Sequence, residues 1–285
     1  MGKIFLFLTF LLGLMLVGCG SQPADIDIYE DVQPSVTTLP SVSSAVVTEF
    51  FGSTEAETAL TVTDVEPSAV SPDEYFNNSV FIGDSIMEGI RQYVVRQRKT
   101  EPTLGDAKFI ATTIGISLSD LVGDKPNCLY YSYRGKEQPL ADILAELGTI
   151  DRIFLMLGMN DLAAADADTD LAVDRYLRLI GNLNDQFPQT EIVLLTGTPK
   201  VASSWLPNYI ANRELDNRLI SEFVQKLVAM CNENGILYVD THAALCDANG
   251  NLPDDYCRDG YIHLSDVGAR AVVETLYAFA EAAGE

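Results

Sequence analysis

Residues 78–89, which read NSVFIGDSIMEG, place a serine where it could act as a nucleophile. The apolar run 80–82 is typical of a buried parallel strand, and Gly83 interrupts it. Apolar residues then recur at helical spacing from Ile86, so the pattern predicts a strand, a tight turn and a helix beginning near Ser85. N–H groups at a helix start stabilise nearby negative charge. Ser85 is therefore a candidate nucleophile, and the alternative is that it only caps the helix.

The chain has two histidines, and either is a candidate partner for that hydroxyl. Imidazole titrates near neutral pH, which suits it to take a proton from a serine. His263 lies in DGYIHLS, directly before the apolar pattern of the C-terminal helix, and is the natural general base. His242 follows a predicted strand and is its only rival.

Residues 158–161, Gly-Met-Asn-Asp, follow a third apolar run. An asparagine N–H aimed at a reacting oxygen is a common oxyanion-hole donor, and its loss costs about 3–4 kcal/mol of transition-state stabilisation. Asn160 is thus a candidate donor. The alternative makes Asn160 a turn residue and Asp161 a helix cap. Both interpretations hold together if Asp161 is structural and Asn160 functional.

The string Gly83-Asp84-Ser85 after a hydrophobic strand resembles the first sequence block of the GDSL, or SGNH, hydrolase family, whose nucleophile is that serine. Three further blocks follow in the family's order, at residues 112–117, 158–161 and 259–265. The resemblance covers residues 73–285. It implies a catalytic Ser85, His263 and Asp259, with oxyanion donors from Ser85, Gly115 and Asn160. His242 lacks the aspartate-before-histidine context, which favours a core or capping role.

The last block departs from the family pattern. The family places its aspartate three residues before the histidine, whereas Asp259 lies four before His263. One added loop residue still allows a carboxylate to reach the imidazole Nδ1. Asp254, Asp255 or a backbone carbonyl are the alternatives, and they would leave a Ser–His dyad. Gly115 also has an alternative, as a loop glycine with an unusual φ.

Apolar runs and helical patterns alternate from residue 73 to the C-terminus. Such alternation predicts right-handed crossovers and a parallel sheet covered on both faces. We expect a three-layer α/β/α, flavodoxin-like fold with a five-stranded parallel sheet, whose active groups gather at the carboxyl ends of the strands. The predicted strands are residues 80–82, 109–112, 153–157, 192–195 and 236–239, and the predicted helices are residues 86–98, 140–147, 170–187, 213–234 and 265–283.

The N-terminus has the features of an export signal. Lys3 precedes an apolar run at residues 4–17, which is short for a membrane span, and Leu16-Val17-Gly18-Cys19 resembles a bacterial lipobox. We expect residues 1–18 to be a lipoprotein signal peptide, Cys19 to be lipidated, and residues 19–72 to form a disordered acidic Ser/Thr/Pro tether to the hydrolase domain, residues 73–285. The domain would then sit on the extracytoplasmic face of the cell membrane. The alternatives are an ordinary secretory signal or an uncleaved anchor.

The charge and the cysteines limit the partners. The net charge is −23, and from residue 73 onward 17 Lys and Arg stand against 32 Asp and Glu, a net −15, which disfavours nucleic acid and anionic lipid. The spacing of Cys and His matches no zinc pattern. An acyl-enzyme mechanism on a serine needs no metal or organic cofactor, so we expect none. Cys246 and Cys257 flank a turn signal and would be either a disulfide or two free thiols.

Together these observations predict a serine esterase acting on carboxylic esters through an acyl-enzyme on Ser85. Attachment to the outer face of a membrane favours O-acetyl groups on cell-envelope or extracellular glycans as the substrate. The alternatives are an O-acyltransferase, a lysophospholipase or lipase on the same fold, or a catalytically inactive glycan-binding lipoprotein. The expected partners are an acyl ester or acylated glycan, and the membrane through the N-terminal lipid.

Overall fold

The computed structural model describes residues 71–283, except 113–114, 124–130, 134–135, 165 and 203–214, together with the two-residue strand Asp25–Ile26. The predicted signal peptide, Cys19 and almost all of the predicted tether lie outside the described residues. None of the helices in the described ranges combines the length and the hydrophobicity that a membrane span requires.

A five-stranded parallel sheet lies at the centre of the fold, as the sequence predicts. Its order is β2-β1-β3-β4-β5, with β1 at Ser79–Gly83, β2 at Lys108–Ile110, β3 at Arg152–Met156, β4 at Glu191–Leu195 and β5 at Leu237–Val239. Phe81 pairs with Phe109 on one side and Phe154 on the other, and their stacked ring centroids lie 5.0 and 4.5 Å away. All five positions of β1 are buried because both faces of the sheet are covered.

Two groups of helices cover the sheet, which gives the three layers. The first group packs around α2 and α9, and the second around α6 and α7. The first comprises α1 (Pro72–Tyr75), α2 (Ser85–Gln97), α8 (Thr241–Leu245) and α9 (Asp266–Ala283), and the second comprises α3 (Leu118–Leu121), α5 (Met159–Leu162), α6 (Thr169–Gln186) and α7 (Asn217–Asn234). The remaining α-helix of the described chain, α4, spans Leu140–Glu146.

Several short elements lie outside these predictions. Tyr131–Tyr133 pairs with Asp25–Ile26 and Lys136–Gln138 in a small second sheet, and Asp254–Tyr256 forms a 3-10 turn. The predictions extended β2 to residue 112 and β3 to residue 157, whereas the strands end at Ile110 and Met156. The chain leaves the sheet earlier at both points because it turns there into the candidate site.

Candidate active site

Ser85 is the first residue of α2, and its neighbour Asp84 caps the helix. Asp84 Oδ1 accepts the Ile86 N–H at 2.9 Å. The capping alternative for Ser85 is therefore wrong, because Asp84 fills that role. The Ser85 hydroxyl instead lies 2.9 Å from His263 Nε2. The two residues are separated by 178 positions in the chain, and the fold brings them together.

His263 lies on the returning strand of a short hairpin, residues 256–265, which we call the histidine hairpin. The Arg258 N–H donates to the His263 carbonyl at 2.8 Å, and the Ser265 N–H donates to the Tyr256 carbonyl at 2.8 Å. Cys257 faces Leu264 between these two bonds. The loop of the hairpin is thus residues 259–262, and Asp259 and His263 stand at its two ends.

Asp259 reaches the imidazole despite the extra residue. Its Oδ2 lies 2.5 Å from His263 Nδ1, while Oδ1 accepts the N–H groups of Tyr261, Ile262 and His263 at 2.9, 3.1 and 3.2 Å. An ionised carboxylate only accepts, so Nδ1 carries the proton and Nε2 is left to accept from the Ser85 hydroxyl. The carboxylate on Nδ1 is therefore Asp259, and neither Asp254 nor Asp255.

The loop geometry also keeps Asp259 ionised. Burial alone would raise the pKa of this carboxyl, but the hydrogen bond and charge of His263, together with the Tyr261 N–H, hold the pKa well below its usual range. The Cys257 thiol adds a further donor, with Sγ 3.3 Å from Oδ1. The carboxylate beside Nδ1 is placed to stabilise the positive charge that the imidazole gains when a general base accepts a proton.

Asn160 and Gly115 lie next to each other, near the carboxyl end of the strand β1 that precedes Ser85. Asn160 Nδ2 donates to Asp84 Oδ2 and to the Ile116 carbonyl, both at 2.9 Å. A Cβ on Gly115 would lie 2.8 Å from Asn160 Oδ1, so close approach requires glycine here. Packing against the Asn160 side chain therefore accounts for a glycine at this position. Asn160 is positioned by Gly158, whose φ of 102° turns the chain from β3 into α5.

Asp84 connects the helix that begins with Ser85 to Asn160, a contact that no sequence pattern indicates. Its side chain is buried, and one carboxylate oxygen accepts an N–H in the first turn of α2 while the other accepts the Asn160 amide N–H. Burial raises the pKa of this carboxyl from 3.8 to about 6, opposed by the Ile86 N–H and the charge of His263. A titratable group with a displaced pKa therefore lies between the proposed nucleophile and the proposed oxyanion donor.

Asp161 is structural, as one interpretation of the sequence held, but it caps a helix other than its own. Its carboxylate accepts the N–H groups of Leu118 and Ser119 at 2.7 and 3.3 Å, at the start of α3. Arg175 of α6 lies 3.3 Å from the same carboxylate. Asp161 thereby connects α5, α3 and α6, and it fixes the segment that begins with Gly115.

The remaining candidates lie apart from Ser85. His242 is buried in α8, as a core histidine, and burial lowers its pKa. Cys246 and Cys257 are free thiols, so the disulfide alternative is wrong. In the described ranges, no group of three or more His, Cys, Asp or Glu side chains is arranged to hold a metal ion.

A cleft of about 330 Å³ opens beside Gly115 and Asn160, within the size range of small-molecule sites. Its walls come from α3, α5, α6 and their connections, and Leu171 is the only large apolar side chain among the described lining residues. The lining comprises Gly115, Ser117, Ser119, Asn160, Asp161, Ala163, Ala164, Asp166, Asp168, Leu171 and Arg175. A second cleft of about 420 Å³ lies between α1, α2 and α9. Neither Ser85 nor His263 is among the described lining residues of either cleft, but the first contains Asn160 and Gly115.

The sequence matches the model of the GDSL-like Lipase/Acylhydrolase family over residues 81–271, which is more than half of the chain. The chain belongs to this family. Residues 81–271 include Ser85, Gly115, Asn160, Asp259 and His263. This GDSL-family protein is therefore a serine hydrolase that acts on ester bonds, as the sequence predicts.

Solved structures with the same fold come from several bacteria. A protein of Streptococcus pneumonia, provisionally identified as a platelet activating factor, is 24% identical over 75% of this chain and 86% of its own, with a TM-score of 0.51. A GDSL-like lipase from Bacteroides thetaiotaomicron VPI-5482 is 17% identical over 72% of this chain and 88% of its own, with a TM-score of 0.50. Identities this low establish the fold alone. No curated protein matches the sequence.

Proposed function

We propose that this GDSL-family hydrolase cleaves short-chain esters through Ser85, with His263 as general base and Asp259 as the residue that orients it. The observation that carries the proposal is the continuous contact from Ser85 Oγ through both ring nitrogens of His263 to Asp259, at 2.9 and 2.5 Å. His263 Nε2 takes the hydroxyl proton as Oγ attacks the ester carbonyl. It then returns the proton to the leaving alcohol, and water resolves the acyl-enzyme.

The proposed oxyanion donors are the backbone N–H groups of Ser85 and Gly115 and the side chain of Asn160. Ser85 supplies its N–H from the positive end of α2. Asn160 Nδ2 now donates to the Asp84 carboxylate and to the Ile116 carbonyl. The bond to the charged carboxylate is the stronger of the two. The N–H directed at Ile116 is therefore the one that turns to, or is shared with, the oxyanion.

The proposed substrate is an O-acetylated glycan of the cell envelope or the extracellular medium. The support is the cleft beside Asn160, whose described lining is mostly small or polar and has a single large apolar side chain. Hydroxyl-rich sugars form hydrogen bonds with such walls, whereas a long acyl chain would leave them unpaired. The net charge of −23 further favours a neutral or cationic substrate over an anionic one.

The activity test measures hydrolysis of p-nitrophenyl acetate and of acetylated xylo- and amino-sugar oligomers by the purified protein. Ser85→Ala is expected to lower kcat about a thousandfold or more. The matched control is Ser221→Ala, which removes the hydroxyl of a partly exposed serine in α7 and should keep the wild-type rate. Equal turnover by Ser85→Ala and wild type would contradict the mechanism.

The alternative from another functional class is an inactive glycan-binding protein, and the reason to consider it is that Asp259 lies four residues before His263 instead of three. Asp259 lies on His263 Nδ1, so that reason no longer stands. Saturable glycan binding without any p-nitrophenyl acetate hydrolysis would restore this alternative. Diversion of acetyl from water to an added sugar acceptor would instead identify an O-acyltransferase.

Lipid attachment at Cys19 remains part of the proposal, on the strength of the Leu16-Val17-Gly18-Cys19 string. Two acyl chains would hold the hydrolase stably on the extracytoplasmic face of the cell membrane. Labelled palmitate should enter the wild-type protein and not Cys19→Ala. Absence of label from the wild type would refute lipidation and leave the esterase mechanism unaffected.

A further inference from the structure

The first turn of α9 packs against the two ends of the histidine hairpin. The Tyr256 carbonyl accepts the Ser265 N–H at 2.8 Å, which closes the hairpin at its base. The Ser265 hydroxyl donates to the Asp255 carbonyl at 2.6 Å and accepts the Gly268 N–H at 3.3 Å. Through Ser265, the hairpin and the helix are joined directly below His263.

At Gly268, helix α9 and the histidine hairpin approach each other closely. It is buried, and a Cβ built on it would lie 2.5 Å from the Tyr256 carbonyl oxygen and 3.1 Å from Leu264 Cδ2. Gly268 is helical and has no positive φ, so its backbone conformation suits alanine. Alanine is also the better helix former, by about 1 kcal/mol. Packing against the hairpin, rather than conformation, is what requires glycine.

We propose that Gly268 is a positioning residue for His263. Because position 268 has no side chain, the hairpin packs against α9 at the distance that brings His263 Nε2 within reach of Ser85 Oγ. The present spacing would leave a methyl group at position 268 only 2.5 Å from the Tyr256 carbonyl oxygen, and this distance must increase to 3.0 Å or more. The contact is with backbone, so no side-chain rotation relieves it, and the hairpin must move as a body. A misplacement approaching 1 Å costs up to about a hundredfold in rate.

This inference rests on the proposed mechanism, and the test compares two Gly→Ala variants in helices. Gly268→Ala is expected to lower kcat for p-nitrophenyl acetate about 10- to 100-fold, with KM within about threefold of wild type. Gly181→Ala is the matched control, because Gly181 is an exposed α6 residue with no atom within 4 Å of the added Cβ. It should keep the wild-type kcat. Wild-type kcat in Gly268→Ala would overturn the proposal.

A readout independent of turnover uses the fact that the chain has only two histidines. With ¹³C-labelled histidine, the His263 Cε1 signal, assigned with His263→Gln, reports the partner of Nε2. In Gly268→Ala it should move toward its position in Ser85→Ala, while the Nδ1–H signal of the hydrogen bond to Asp259 persists because the hairpin moves intact. A His263 Cε1 signal at the wild-type position would overturn the proposal.

If Gly268→Ala does not fold, Ser265→Ala weakens the same contact between α9 and the histidine hairpin without adding a side chain. It removes the bonds to Asp255 and Gly268, and kcat should fall about 3- to 10-fold, whereas a wild-type kcat would overturn the positioning role. Full turnover in Ser85→Ala would refute the proposed mechanism itself. Inactive Ser85→Ala beside fully active Gly268→Ala would refute only the role of Gly268.

Discussion

At the scale of single residues, the candidate site depends on side chains that each make two contacts. Asp84 holds α2 with one oxygen and Asn160 with the other, and Asp259 holds its own loop with one oxygen and His263 with the other. Asp259 therefore couples His263 to the loop that carries it, and Asp84 couples the start of α2 to the side chain of Asn160. Of the two, the sequence identified only Asp259, because the partner of Asp84 lies 76 positions away.

The raised pKa of Asp84 predicts a pH-dependent stability. This carboxyl binds its proton more tightly in the folded state, at a pKa of about 6, than in the unfolded state, at 3.8. The stability that it contributes is therefore complete below about pH 4 and is lost as the pH rises through 6. Between pH 4 and pH 7, the free energy of unfolding of Asp84→Asn should rise by about 2 kcal/mol relative to wild type. Urea unfolding at the two pH values measures this, and a constant difference would contradict the assignment.

Asp259 and Asp255 give a matched pair for the role at Nδ1. Asp259→Asn should lower kcat by about 10³- to 10⁴-fold near pH 7, because it removes the charge that stabilises the imidazolium. Asp255→Asn should leave kcat unchanged, since Asp255 accepts the Ser265 hydroxyl through its backbone carbonyl, which asparagine retains. The reverse order of effects in ester hydrolysis would mean that Asp255 orients the ring.

At the scale of elements, the long strands and helices follow from periodicity, and the short ones do not. The apolar spacing predicted α6 at residues 170–187, and the helix spans Thr169–Gln186. By contrast, α5 has four residues, too few to show a period, and α8 has five. The histidine hairpin has a single bridge, Cys257 with Leu264, and its loop is fixed by the Asp259 carboxylate rather than by an apolar pattern.

The caps of α3 and α6 differ in burial, and this predicts unequal effects on stability. Asp161 is buried and accepts two N–H groups of α3 beside Arg175, so Asp161→Ala should cost about 3 kcal/mol of unfolding free energy. Asp168 is exposed and caps α6, so Asp168→Ala should cost about 1 kcal/mol. Denaturant unfolding compares them, and equal losses would contradict a buried junction at Asp161.

At the scale of the whole molecule, the sheet order explains why distant segments meet. Strand β1 lies between β2 and β3, so Ser85, Gly115 and Asn160 follow three neighbouring strands at the same edge of the sheet. His263 follows β5 in the chain, and β5 is the edge strand on the opposite side of the sheet from β2. The sequence predicted this convergence from strand ends, whereas the contact of Gly268 with the hairpin depends on distances that no sequence pattern contains.

The strong negative charge of the protein predicts a salt effect that depends on the substrate. For an anionic acetate ester, kcat/KM should be a few-fold lower than for a neutral analogue at low ionic strength, and the gap should close by about 0.3 M salt as screening shortens the field. The neutral ester should show little change. Initial rates across a salt series measure this. An anionic ester favoured at low salt would indicate a local cationic pocket that overrides the net charge.

The most direct measurement of the central claim is the attachment site of a fluorophosphonate probe, mapped by peptide mass spectrometry. The probe phosphonylates an activated serine, and the contact between Ser85 Oγ and His263 Nε2 predicts that the adduct lies on Ser85. Ser85→Ala should take up no label, and Asp259→Asn should label far more slowly than wild type. An adduct on another residue, or equal labelling of Ser85→Ala and wild type, would contradict the account.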